Sequence, residues 1–133
     1  MPEMVVSFVG NQKVAADYKG FQIVTDQPPR AGGDGSAPAP FDLFLASIGA
    51  CAGFFVLNFC QTRKIPTEGI RVVQNTEHDP ATHRLARVLI DIQVPADFPE
   101  KYYPALVRSV EQCAVKKAIN DPPEFVTRTV VTA

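Results

Sequence analysis

The chain has 133 residues, of which 46% are hydrophobic and 20% charged. This composition predicts one globular domain over residues 1–133 and excludes a disordered chain. The formal net charge of −1 argues against nucleic acid or an anionic membrane as partner. The N-terminal residues lack a secretory-signal pattern, and the three cysteines lack zinc-site spacing. We therefore expect a cytoplasmic protein with reduced thiols and no metal, whose partner is a small molecule or a second copy of itself.

The N-terminal third predicts a small sheet followed by a loop. Residues 5–9 and 21–24 are rich in β-branched and aromatic side chains, and turn-forming pairs at 10–11 and 19–20 lie between them. Residues 27–40 then contain four prolines and three glycines, which disfavour regular structure. We expect an antiparallel sheet and then an irregular connection.

An uncharged apolar segment at residues 43–60 is long enough to span a membrane. A span would leave about 40 residues before it and about 70 after it, each too few for a good core. Ser47 and Asn58 within the segment favour instead a central helix buried by protein, from Phe41 to residue 63 or 64. A helix that is apolar all round must be covered on every side. We expect a homodimer to provide this cover; the alternative is that both sheets wrap the helix within one chain.

The second half predicts a hairpin, a helix and a last strand. Residues 70–77 and 84–94 flank a turn, and the second run alternates apolar with polar side chains. Residues 99–120 have helical apolar spacing, with Pro104 as the expected point of any interruption. Residues 125–131 are rich in β-formers. The order of elements predicts an α+β domain with antiparallel sheets packed around a long central helix.

The cysteines are the main candidates for chemistry. Cys51 has small neighbours in the sequence GACAG, which leave its thiol uncrowded. Cys60 lies on the opposite helix face, about 13 Å further along, which is too far for a disulfide with Cys51. We expect Cys60 to be a buried structural residue, so any internal disulfide must use Cys113, which has Lys116 and Lys117 within one turn. Burial raises the pKa of a thiol, so a lowered pKa for Cys51 would need an external cation; which thiol attacks stays open.

Two cysteine motifs carry a family resemblance. The first is DLFLASIGAC at residues 42–51, preceded by Gly32-Gly33 and Pro40. The second is CAVKKAI at residues 113–119, with its cysteine sixty-two residues after Cys51. Together they resemble the central-helix and second-cysteine motifs of the OsmC/Ohr family of thiol-dependent hydroperoxide reductases.

The resemblance implies a fold and a reaction. It implies an intertwined homodimer with antiparallel sheets around paired central helices and active sites at the interface. It also implies that the Cys51 thiolate attacks the terminal oxygen of an organic hydroperoxide to give a sulfenic acid, as part of an oxidative stress response. Cys113 would resolve the sulfenic acid into a disulfide, which a dithiol then reduces. No metal or organic cofactor is implied.

The sequence departs from the family pattern at the positions that hold the thiolate. Strongly active members carry a glutamate after the helix-opening proline and an arginine early in the chain. Phe41 occupies the first position, and Gln12 and Lys13 occur where the arginine is expected. Ala114 replaces the usual proline of the second motif. The chain therefore resembles a divergent branch of the family.

We expect Arg30, on the proline-rich loop, to replace the missing cation near Cys51. Asp42 would orient its guanidinium through a bidentate pair. Phe41, Phe44 and Phe54 are candidates to line an apolar substrate pocket. The alternative function is a non-catalytic binding module that holds a small apolar or thiol ligand at the dimer interface.

Overall fold

The chain divides into two compact units, Met1–Ser47 and Ile48–Ala133, and the computed structural model describes residues 2–132. Three strands, a long helix, two strands and two short helices follow one another. The predicted α+β class, with antiparallel sheets and a long central helix, is confirmed.

The first unit contains a three-stranded antiparallel sheet. Its strands, in spatial and chain order, are β1 Met4–Gly10, β2 Lys13–Tyr18 and β3 Phe21–Thr25. The sequence predicted β1 and β3 but not β2, because alanine and aspartate at residues 15–17 are poor strand formers. The β2–β3 turn is Lys19-Gly20, whose φ angles of 51° and 82° give the mirror-image turn that suits a tight hairpin.

The proline-rich loop that follows β3 is organised by the buried side chain of Asp26. Its carboxylate accepts hydrogen bonds from Ser36 Oγ at 2.6 Å and from the backbone N–H groups of Gln27, Asp34 and Ser36 at 2.7, 3.3 and 3.0 Å. The bonds from the Ser36 side chain and backbone contribute most to lowering the pKa of Asp26 to about 2. A Cβ atom on Gly33 would lie 1.9 Å from the Gln27 carbonyl oxygen, so only glycine fits there.

Helix α1, Pro40–Thr62, agrees with the predicted central helix within two residues. Proline suits its first position because the missing N–H would have had no helical partner. The Asp42 carboxylate accepts a 3.2 Å hydrogen bond from the backbone N–H of Ala39 and so caps the helix start.

By length and composition α1 could cross a membrane, although the core helix of a soluble protein passes the same test. Within this chain, 28% of its most apolar 18-residue window is buried. Much of the apolar surface of α1 therefore has no cover within a single chain.

The core of the second unit forms between α1, the antiparallel hairpin and helix α2. The hairpin strands are β4 Arg71–His78 and β5 Leu85–Gln93, and α2 is Tyr103–Val110. The buried cluster consists of Ala52, Val56, Phe59, Cys60, Phe98, Leu106 and Val110. Partly buried side chains of the hairpin pack against it, among them Val72, Ile90 and Ile92. The alternation of side chains along the second strand therefore places one face of the hairpin on the core.

The helix predicted over residues 99–120 is divided into a 3-10 turn, Glu100–Tyr102, and two α-helices. The change from the 3-10 turn to α2 falls next to Pro104, where an interruption was expected, whereas the break between the two α-helices was not expected. Pro104 lies in the first turn of α2, where proline costs no hydrogen bond. The break is at residues 111–113, and α3, Ala114–Asn120, follows it. Cys113 immediately precedes α3 with a non-helical ψ of 126°. The break therefore sets the position of the second cysteine.

The strand predicted at residues 125–131 is absent from the described chain. These residues form no ladder with any described strand, and Phe125, Val126 and Val131 are 85%, 79% and 96% exposed. A strand is stable only when it hydrogen-bonds to the edge of a neighbouring strand, and a high local β propensity does not supply that neighbour.

Candidate active site

Cys51 lies midway along α1 and is half-buried between Gly49 and Gly53. A Cβ atom on Gly49 would lie 3.1 Å from Oε1 of Gln74 on β4, whereas one on Gly53 would meet no atom within 4 Å. The small residues around Cys51 thus let a strand approach on one side and leave open space on the other. The predicted uncrowded thiol is consistent with this geometry.

The break before α3 brings the Cys113 thiol against Cys51. Cys113 is fully buried, and its thiol donates a hydrogen bond to the Cys51 sulfur. The backbone N–H groups of Val115 and Ala114, at the start of α3, also donate to Cys51. Three donors therefore converge on one sulfur atom, an arrangement that favours a thiolate there.

The surroundings set the pKa values of the two thiols in opposite directions. Burial raises the pKa of Cys51, but the bonds from Cys113, Val115 and Ala114 outweigh it and the pKa is lowered overall. Burial and the hydrogen bond to Cys51 raise the pKa of Cys113. Cys51 thus has the lower pKa of the pair and Cys113 the higher, a distinction that sequence reasoning left open.

The expectation that only an external cation could lower the pKa of Cys51 is wrong. The Cys113 thiol and the first backbone N–H groups of α3 lower this pKa instead. Sequence reasoning missed them because the helix break that aims them at Cys51 has no glycine or proline at residues 111–113 to mark it. Every backbone carries such donors, and only the fold directs them at one atom.

Cys60 is fully buried in the core cluster, and burial raises its pKa. Arg63, one turn later, opposes this only in part; its guanidinium packs 3.6 Å from the centre of the Phe59 ring. These features agree with the structural role expected for Cys60. All three cysteines are free thiols in this structure.

Arg30 and Asp42, the other predicted catalytic residues, lie in the first unit. Arg30 is exposed in a short 3-10 turn, Pro29–Ala31. Asp42 is engaged with Ala39 at the start of α1, and among residues 2–132 it forms no ion pair with Arg30. The expected bidentate pair between Asp42 and Arg30 is therefore not formed within the described chain.

The predicted pocket residues are exposed to solvent in the single chain. Phe41 and Phe44 pack against each other at the start of α1, with ring centres 5.4 Å apart. Phe54 is 60% exposed and contacts Phe55 edge-on. Large exposed aromatic rings on a helix are typical of a binding surface or an interface.

Two further features of the first unit were missed by sequence reasoning. Lys13 forms an ion pair with Asp34, and Asn11 donates hydrogen bonds to Gly32 O and Asp34 Oδ1 at 3.1 and 3.2 Å. With the Asp26 cluster, these contacts fasten the loop that carries Arg30 to the β1–β2 turn. Asp26, two residues before Pro28-Pro29, was the only sequence signal that this loop is anchored.

Candidate metal ligands do not gather in the part of the chain that is described. Within residues 2–132, no group of three or more His, Cys, Asp or Glu side chains has the geometry to hold a metal ion.

The fold and the paired thiols define a two-cysteine α+β protein whose central helix carries a thiol of lowered pKa. The family described as OsmC-like protein matches residues 33–128. The chain therefore belongs to the OsmC-like family. This is a family of soluble proteins, so α1 is best interpreted as a core helix. No curated protein matches the chain.

Solved structures of three bacterial proteins share this fold. One, an osmotic stress induced and detoxification response protein from Psychrobacter arcticus 273-4, is 22% identical, with 89% of this chain and 88% of that chain covered and a TM-score of 0.73. The organic hydroperoxide resistance protein OsmC from Legionella pneumophila is 19% identical, with 87% of this chain and 88% of that chain covered and a TM-score of 0.55. An organic hydroperoxide resistance protein from Vibrio cholerae, with captopril bound in one of its active sites, is 18% identical, with 92% and 87% covered and a TM-score of 0.60. At these identities the likeness concerns the fold alone.

Proposed function

We propose that the protein reduces organic hydroperoxides with Cys51 as the attacking thiolate and Cys113 as the resolving thiol. The Cys51 sulfur attacks the terminal peroxide oxygen, the O–O bond breaks, and the leaving alkoxide takes a proton to become an alcohol. Cys51 becomes a sulfenic acid. The Cys113 thiol then displaces water from it, a disulfide forms, and a dithiol reduces that disulfide in two exchange steps.

The hydrogen bond from the Cys113 thiol to the Cys51 sulfur carries this proposal. A peroxidatic cysteine must be a thiolate, and a resolving cysteine must be a nearby thiol. The lowered pKa of Cys51 and the raised pKa of Cys113 fit these two roles. The organic hydroperoxide resistance proteins among the fold relatives favour the same chemistry.

The single domain proposed over residues 1–133 belongs to a cytoplasmic homodimer of a divergent OsmC-like branch. The exposed aromatic rings of α1 and the exposed Phe125 and Val131 are apolar surface that a second subunit would cover. Phe41, Phe44 and Phe54 would then line a substrate pocket at the interface. Arg30 would approach Cys51 in that assembly, while Asp42 supports it by fixing the helix start. The reaction requires no metal or organic cofactor.

A steady-state assay with cumene hydroperoxide and dithiothreitol tests the proposal. Wild type should consume the hydroperoxide, Cys51→Ser should not, and Cys113→Ser should form the sulfenic acid but no intramolecular disulfide. A wild-type rate no higher than that of free cysteine would remove the peroxidase assignment.

A non-catalytic binding module is the second candidate. Captopril is bound in one of the active sites of the Vibrio cholerae relative, which supports a cavity for small molecules in this chain as well. This candidate would be supported if the wild type had no peroxidase activity but bound captopril, and if Phe54→Ala abolished that binding. An active wild type would exclude a purely non-catalytic role.

A further inference from the structure

The contacts around the break at residues 111–113 converge on both sulfur atoms. Cys113 donates to Cys51 from the break itself, and Val115 and Ala114 donate to Cys51 from the first turn of α3. The backbone N–H groups of Lys116 and Val115 donate to the Cys113 sulfur. The position of α3 relative to the end of α2 therefore determines how well both sulfurs are held.

One ion pair crosses this break. Lys116 Nζ lies 2.7 Å from Oε2 of Glu111, the residue that follows the last turn of α2. The two side chains share a cavity of about 220 Å³ with four aliphatic residues, Ile48, Val88, Ile90 and Ile119. The Lys116 side chain is 24% exposed and the Glu111 side chain 58%, so water screens the pair in part.

We propose that the Glu111–Lys116 ion pair positions the α2–α3 break so that its donors stay directed at Cys51 and its thiol stays within reach for the resolving step. Both are positioning residues, since neither side chain touches the reacting sulfur. The inference deepens the proposed function and rests on it.

The resolving step shows why the break has to be held. The Cys113 sulfur bonds to the Cys51 sulfur of the sulfenic acid, the S–O bond breaks, and hydroxide leaves with the Cys113 proton as water. The sulfenic sulfur is reduced and the thiol sulfur oxidised, so no further reactant is needed. An S–S bond is about 2.05 Å long, shorter than a hydrogen bond between thiols. Because Cys51 is fixed within a long helix, the segment at residues 111–113 must move to bring the Cys113 sulfur from hydrogen-bond distance to bonding distance. This movement is short only if Cys113 is already aligned with Cys51.

Charge reversal separates this role from general stability. In Glu111→Lys, the attraction between residues 111 and 116 becomes repulsion, so the donors of the break are no longer held at Cys51. Iodoacetamide should then alkylate Cys51 up to about fivefold more slowly at neutral pH. This is the size of effect expected from an ion pair of this exposure. The midpoint of the alkylation pH profile should rise. Disulfide formation after one equivalent of cumene hydroperoxide should also slow. The double variant Glu111→Lys with Lys116→Glu should restore all three values.

The control is Glu77→Lys, which breaks the exposed 3.1 Å ion pair with Arg87 on the hairpin. It should leave the alkylation rate, the pH profile and disulfide formation unchanged. Wild-type alkylation in Glu111→Lys, or no recovery in the double variant, would overturn the proposal. Because alkylation needs no hydroperoxide, this result does not depend on peroxidase activity.

Discussion

At the scale of single residues, Cys51 is distinguished by the hydrogen-bond donors that surround its sulfur. A cysteine in the middle of an apolar helix would have a raised pKa if burial acted alone, and the core residue Cys60 shows that direction. Cys51 has the opposite shift because Cys113, Val115 and Ala114 donate to it. One helix thus carries two thiols, nine residues apart, whose pKa values are shifted in opposite directions.

Arg30→Ala should slow hydroperoxide consumption at least about tenfold, equivalent to about 1.4 kcal/mol of transition-state stabilisation. The guanidinium is cationic at every relevant pH and would favour the thiolate. Arg87→Ala, which removes an exposed arginine of the hairpin instead, should have little effect. Stopped-flow assays of the three proteins make the comparison. Equal rates for wild type and Arg30→Ala would mean that the three hydrogen-bond donors activate Cys51 without an arginine.

One equivalent of peroxide should produce a single intramolecular disulfide between Cys51 and Cys113. The two thiols already share a hydrogen bond, whereas Cys60 is buried in the core and faces away from Cys51. After unfolding, Cys60 should be the only cysteine that accepts an alkylating reagent. Peptide mapping reads this directly, and Cys60 in the bridge would overturn the assignment.

At the scale of elements, the proline-rich loop is held by a buried charge rather than by an apolar core. Asp26 accepts four hydrogen bonds, and Gly33 allows the backbone to approach Gln27 closely. The loop therefore presents Arg30 from an ordered segment with little apolar burial of its own. Such an element is stable only while the carboxylate is ionised.

The pKa of about 2 for Asp26 in the folded protein gives stability a specific pH dependence. The unfolded chain keeps an ordinary aspartate pKa of 3.8, so between these values it binds more protons than the folded protein. The contribution is complete above about pH 4 and is lost as the pH falls through about 2. Asp26→Asn should lower Tm at neutral pH and flatten the acid side of the Tm profile.

The exposed Asp121 provides the control for this measurement. Asp121→Asn should leave Tm and its acid dependence as in wild type. Thermal melts followed by circular dichroism from pH 2 to 7 make the test, and an unchanged acid limb in Asp26→Asn would contradict the role given to this carboxylate.

Gly33→Ala should destabilise the same loop by about 1–3 kcal/mol, the usual cost of overpacking. The new methyl group would overlap the Gln27 carbonyl oxygen and come within 2.8 Å of Asp26 Oδ1. Urea denaturation measures the change. A free energy of unfolding equal to that of wild type would show that the loop can shift without cost.

At the scale of the whole molecule, a single chain leaves a large apolar surface uncovered. Exposed aromatic rings occur at both the start and the middle of α1, and the C-terminal segment exposes Phe125 and Val131. Exposed large apolar side chains in such numbers are typical of a surface that another molecule covers. A second copy of the chain is the simplest cover.

Light scattering at micromolar concentration should therefore give a mass of about twice 14.5 kDa. The driving force is the removal of the exposed rings and valines from water. Phe54→Asp, which places a charge on the exposed face of α1, should shift the equilibrium towards monomer. A monodisperse wild-type monomer would falsify the dimer.

The sequence by itself determined the elements whose signals are local. The central helix follows from an uninterrupted apolar segment opened by Pro40, and the hairpin of β4 and β5 follows from alternation around a turn. The separation of Cys51 from Cys60 follows from helix geometry alone. The two cysteine motifs also indicated the family, because their residue types and spacing can be read without coordinates.

Only the tertiary structure decided features that depend on a partner distant in sequence. Strand β2 forms despite weak propensity because it pairs with β1 and β3, whereas residues 125–131 pair with none of the described strands despite strong propensity. The break at residues 111–113 directs the α3 donors at Cys51 and so shifts the pKa values of Cys51 and Cys113 in opposite directions. Propensity and periodicity report what a segment favours alone, whereas hydrogen bonding and burial depend on which groups the fold brings together.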